Sequence, residues 1–139
     1  MVRAKEKKQD YVVYVHPEAT RCAAKRMERK GRILLDDIGY LTEQYKDNLI
    51  VIDDDESPCE VSPRMPEVRK VKKVIVIGAF RGLCVANQCA ALINKNYSVD
   101  IDEDCIVSGS GSFTTLILRE TVEKYPEYRG MFQSLGHFV

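Results

Sequence analysis

The sequence predicts a three-layer α/β/α sandwich built on a mostly parallel sheet. Short β-branched runs recur at Tyr11–Val15, Leu49–Ile52 and Val74–Ile77, and such runs read as strands. Stretches of helical periodicity separate them. The run at Val74–Ile77 carries no polar residue, so both of its faces must be covered, as in a parallel sheet. The order β-αα-β-loop-β-α-β-α gives a layered α/β architecture with right-handed crossovers. In such sheets, sites form beyond the carboxyl ends of the strands. Here those ends carry His16, Asp53–Asp55, Gly78–Cys84 and Asp102–Asp104.

Each element has its own local reason. Residues 1–9 are a charged, frayed lead-in, and 10–139 form a single domain. Pro17 stops the first strand and suits the first turn of a helix over 18–30. Ala19, Cys22, Ala23 and Met27 share one face of that helix. Gly31 fits a helix C-cap. A second helix follows at about 36–46, with Ile38, Leu41 and Tyr45 at helical spacing. Residues 57–69 hold Pro58, Pro63 and Pro66 and read as an irregular loop. The helix at about 83–95 buries Val85, Cys89 and Leu92 and exposes Asn94 and Lys95. Val99 and Ile101 alternate with Asp100 and Asp102, so that strand is half exposed. A helix over Phe113–Lys124 and a short aromatic-rich helical tail over Tyr125–Leu135 follow, and His137-Phe138-Val139 reads as a last short strand.

Composition excludes several classes. Net charge is zero, so no global field favours nucleic acid or an anionic membrane surface. The longest apolar runs are far short of a membrane span. The charged start MVRAKEKKQD has no apolar core of a secretory signal. Five cysteines without such a signal point to reduced thiols in a cytoplasmic setting. No CxxC pair occurs and there are two histidines, so neither a structural zinc site nor another cofactor is expected.

The chemistry centres on Cys84. It follows a strand and the turn Gly78-Ala79-Phe80-Arg81-Gly82, and it opens a helix. A helix N-terminus favours the thiolate, and the free N–H groups of its first turn can receive an oxyanion. Arg81 in the same turn is suited to a bidentate grip on a substrate carboxylate, with Gly82 and Leu83 beside it as substrate contacts. The alternative is a small buried thiol that packs the helix onto the sheet.

The segment from Val74 to Asp104 resembles the isochorismatase-like cysteine hydrolases, which include the nicotinamidases. The shared pattern is an apolar strand, Gly78, Cys84-Val85 opening a helix, Asn96-Tyr97, Val99 and then Glu103-Asp104-Cys105. The resemblance implies Cys84 as nucleophile, a cis peptide in the turn at Ala79–Phe80, and a homo-oligomer. The aromatic tail is a candidate interface for that oligomer. It implies a small-molecule substrate, an amide or related carbon–nitrogen bond. The family's first strand ends in an Asp general base, where this chain has His16. A catalytic Lys follows the next strand in the family, where this chain has Asp53-Asp54-Asp55. Two readings follow. In one, the site is rebuilt as Cys84, His16 as base and Asp53 (or Asp54) as orienter, a set chemically sufficient for acyl transfer. In the other, the site is silent and the protein is a binding or assembly subunit.

Other signals have plainer explanations. The run Asp53-Asp54-Asp55-Glu56 lacks the ligand spacing of a calcium loop and reads as a solvated turn. Ser108-Gly109-Ser110-Gly111-Ser112 offers a phosphate cradle, but no Lys-Ser/Thr follows, and Ser112 suits an N-cap. The cluster Arg69-Lys70-Lys72-Lys73 reads as exposed loop.

Overall fold

The computed structural model describes residues 7–109 and 116–137. Four strands, β1 (Gln9–Val15), β2 (Leu49–Ile52), β3 (Val71–Ala79) and β4 (Val99–Val107), form one parallel sheet in the order β2-β1-β3-β4. Helices α1 (Pro17–Lys25) and α2 (Arg29–Gln44) lie between β1 and β2, and α3 (Ala86–Asn94) lies between β3 and β4. Helices α4 (Leu116–Lys124) and α5 (Arg129–Ser134) complete the described chain.

Alternation along β1 builds the layers. Val12 and Tyr14 pack with Ala24, Leu34 and Ile38 of α1 and α2. Val13 and Val15 join the opposite cluster, with Leu92, Leu118, Val122 and Phe132 from α3, α4 and α5. Successive strand residues point to opposite faces, so one five-residue apolar run serves two cores. The three-layer sandwich with its parallel sheet is as the strand runs imply.

Several local expectations are corrected. The first helix ends at Lys25, and Glu28 breaks the chain with φ 54° before α2 starts at Arg29. Gly31 is therefore inside α2 rather than capping α1. A Cβ there would stand 1.7 Å from the Ala24 carbonyl oxygen, so the glycine lets the two helices touch. The inward face of α1 is Thr20 and Ala24; Cys22 is exposed. The tail's aromatics turn inward: Phe132 is fully buried, and Tyr125 and Tyr128 pack partly buried against the core. The rest of the Ser108–Ser112 turn, the start of the 113–124 helix, and Phe138 and Val139 of the expected last strand lie outside the described residues.

The largest correction concerns β4. Val76 pairs with Ile101, and the next pair is Gly78 with Ile106. Two steps along β3 match five along β4, so Asp102–Asp104 form a bulge in mid-strand and do not stand at its carboxyl end. The bulge has a physical cause. Continued in register, these carboxylates would need a place against a buried layer. Looped out, Glu103 and Asp104 are exposed, and Cys105 returns to the core.

Candidate active site at the strand switch point

The chain leaves β1 for β2 on one side and returns to β3 on the other, so connections diverge between β1 and β3. Ligand-binding crevices form at such a switch point. Val15 stands opposite Gly78, which places His16 and the turn that follows β3 side by side. Gly78 has φ 113°, and a Cβ on it would lie 2.1 Å from the Val15 carbonyl oxygen. Only glycine allows this approach.

Beyond β3 the peptide Ala79–Phe80 is cis, where the resemblance implies it. A π-turn over Arg81–Val85 follows and runs into α3. The Phe80 carbonyl accepts from the N–H groups of Leu83 and Val85, both at 3.1 Å. Cys84 sits half-buried on the core cluster beneath α3. Burial pushes its thiol up, and hydrogen bonding from the backbone of Phe80 and of Cys84 itself pulls the other way without overcoming it. The thiol is therefore raised and not lowered as expected, because desolvation of the thiolate outweighs those backbone hydrogen bonds.

His16 is in the left-handed region, φ 53°. Its N–H donates to Ile52 O at 2.8 Å, and its carbonyl accepts from the Thr20 hydroxyl at 2.9 Å. The ring Nε2 lies 3.2 Å from Glu56 O. A carbonyl can only accept, so Nε2 carries the proton, and in the neutral ring Nδ1 then holds the lone pair. No hydrogen bond joins His16 to Cys84.

Asp53 donates its N–H to Glu56 Oε1 at 3.1 Å, and Asp53, Asp54 and Asp55 line a polar cleft of about 420 Å³ with Arg21. Asp54 caps α1: its carboxylate accepts from Glu18 N at 3.0 Å and Ala19 N at 2.8 Å. A neighbouring strand's loop thus supplies the cap that His16 does not. The Arg64 guanidinium bonds Glu56 at 3.1 Å, holds that exposed carboxyl below the usual range, and also donates to Val51 O.

Of the three expected substrate contacts, Leu83 lines a cleft. The cleft is about 520 Å³, between α1 and the ends of β3 and β4, walled by Ala19, Cys22, Phe80, Leu83 and Ser108. Arg81 reaches elsewhere: to Ser108 Oγ at 3.2 Å, Ser134 O at 3.3 Å and Glu103 at 3.5 Å. Gly82 is buried, and its carbonyl lies 2.7 Å from His137 Nε2.

Two residues that bear on the site were not singled out from sequence. His137 is fully buried and reaches back over 55 positions to Gly82. Gln88 is buried on α3, one turn past Cys84, and holds the loop between β2 and β3. Its four-residue spacing from Cys84 was the available clue; His137 offered none. Among the described residues, no three His, Cys, Asp or Glu side chains converge to hold a metal ion. Among them also, no helix is long and apolar enough to cross a membrane.

Comparison with known proteins agrees with this geometry at the level of fold. The nicotinamidase SaPncA from Staphylococcus aureus superposes with a TM-score of 0.51 at 15% identity, covering 96% of this chain and 99% of that one. The chain has the isochorismatase-like α/β/α fold. No family model matches the sequence, and no curated protein matches it.

Proposed function

We propose that the protein is a diverged hydrolase of small amides or related carbon–nitrogen bonds, with Cys84 as nucleophile and His16 as general base. The observation that carries this reading is the switch point itself: the left-handed His16 and the π-turn bearing Cys84 end adjacent, paired strands. Backbone outliers of this kind gather at functional sites. Because burial raises the thiol, it rests protonated and needs a base. The Nδ1 lone pair of His16 is the group to supply one. His16 takes the thiol proton as sulfur attacks the carbonyl carbon. The oxyanion is received by the backbone of Phe80 and Cys84, and the amine leaves with the proton from His16. Water then hydrolyses the thioester by the reverse sequence. Asp54, fixed at the start of α1 and close enough to raise the Cys84 thiol through its charge, is better placed than Asp53 to influence the pair.

The substrate class is a small molecule, and the compartment cytoplasmic. Assembly with a second copy would use a face other than the aromatic tail, whose rings are engaged internally. The test is ammonia release from a panel of small primary amides, nicotinamide among them. Cys84→Ala should lower turnover by at least ~10³-fold. Unchanged turnover in Cys84→Ala would overturn the assignment.

A second reading, a catalytically silent binding subunit, is favoured by the cleft of about 520 Å³. Its walls include Leu83 and Phe80 but not Cys84. Saturable binding with no turnover in the same panel would select it.

A further inference from the structure

Cys84 has a second thiol held near it. Gln88 lies four residues beyond Cys84, on the first turn of α3 into which the Cys84 π-turn runs. Gln88 is fully buried, and its Nε2 donates to Pro58 O at 2.9 Å and Glu60 O at 3.0 Å. Those two residues flank Cys59. The clamp therefore seats Cys59 on the first turns of α3, where it shares a cleft wall with Asn87 and Ala91. Ser57 adds to the fixation, since its Oγ accepts from Cys59 N at 3.2 Å. Burial is the main cause that raises the Cys84 thiol, and charge on Cys59 adds to it, in keeping with the neighbouring cleft wall. Cys59 is exposed, so oxidants reach it first. Of the other cysteines, Cys89 and Cys105 are buried, and Cys22, exposed on α1, lines the cleft that Leu83 shares and is the competitor the peptide map must exclude.

We propose that Cys59 and Cys84 form a reversible disulfide when the protein meets a peroxide. The thiolate of Cys59 attacks the peroxide; an S–O bond forms, the O–O bond breaks, and hydroxide leaves to become water. The sulfenic acid so formed is attacked by the Cys84 sulfur. The S–S bond forms, the S–O bond breaks, and the hydroxyl departs as water with the Cys84 proton. Two thiols lose two electrons, and one peroxide becomes two waters; a dithiol reverses the change. Disulfide geometry asks for Cα atoms ~4.4–6.8 Å apart, so linkage requires the turn that carries Cys59 to come within that span of Cys84. The linked form withdraws the Cys84 thiol from acyl transfer. That consequence rests on the hydrolase reading; the disulfide does not.

The experiment treats the reduced full chain with hydrogen peroxide, blocks remaining thiols with N-ethylmaleimide, and maps linked peptides by mass spectrometry. The expected result is one dominant Cys59–Cys84 linkage that dithiothreitol removes. Cys59→Ser, at an exposed position whose folding circular dichroism verifies, should abolish it and leave Cys84 alkylatable after peroxide. Gln88→Ala should slow linkage by about tenfold, because the local concentration of Cys59 falls. A dominant linkage through Cys22, or oxidation of Cys59 to sulfinic acid without any linkage, would overturn the proposal. Neither outcome touches the amide assay, and loss of that assay leaves the peptide map unchanged.

Discussion

The two seams that β3 makes with its neighbours behave differently. Against β1, pairing runs unbroken from Asp10–Lys73 to Val15–Gly78. Against β4, pairing breaks after Val76–Ile101 and resumes three residues out of step. The cause is in the side chains. Both β1 and β3 bury residues on both faces, so a slip of one position would misplace every one of them. Strand β4 instead carries three consecutive acids that no core can hold. The seam with fixed register holds His16 and the Cys84 turn in relation to each other. The adjustable seam lies at the side of the sheet, and Arg81 reaches across to it.

Four experiments test that contrast. Gly78→Ala attacks the fixed seam where there is least room, and should cost more than ~3 kcal/mol or prevent folding, since a backbone clash adds to a disfavoured φ. Urea unfolding measures it, and a cost under ~1 kcal/mol would mean the seam can part. Next, Val76→Ala should cost ~2 kcal/mol, while half-exposed Ile101→Ala, its partner at the edge of the bulge, should cost less. Equal losses would erase the distinction. The third is alkaline. Burial, helped by the Asp102 charge, pushes the Cys105 thiol from 9.0 up to about 12. The folded state then holds its proton more tightly than the unfolded state. Stability is full below pH 9 and falls as pH climbs toward 12. Cys105→Val should flatten that decline in urea midpoints, and an unaltered decline would assign it to other groups. The smallest effect belongs to Glu103→Gln. Its pair with Arg81 is partly exposed, so a double-mutant cycle should give under ~1 kcal/mol of coupling.

Much of the fold was legible because its signals are local. Val12–Val15 alternate between two cores, Val74–Ile77 needed cover on both sides, and Pro17 started a helix. The position of Cys84 at the head of α3, with the cis peptide before it, was legible through a resemblance of spacing. What escaped depends on distance along the chain. Asp100 and Asp102 alternate with apolar residues as any half-exposed strand does, so the bulge was invisible until β3 fixed the partner register. Asp54 reads as a solvated acid, yet it caps a helix 35 residues earlier. Gln88 and His137 act through backbone carbonyls, and carbonyls leave no mark in a sequence. The thiol of Cys84 depends on a balance between burial and backbone hydrogen bonding that residue type alone does not decide.

The bulge in β4 also changes what that edge of the sheet offers to another strand. Among the described residues β4 is the last strand of the sheet, and a long bare strand edge is a template for another molecule's strand. Asp102–Asp104 interrupt that edge with three negative charges and a break in the hydrogen-bonding pattern. A second copy arriving edge to edge would bring the same three charges to the same place. The bulge therefore guards the β4 edge of the sheet against addition of another strand.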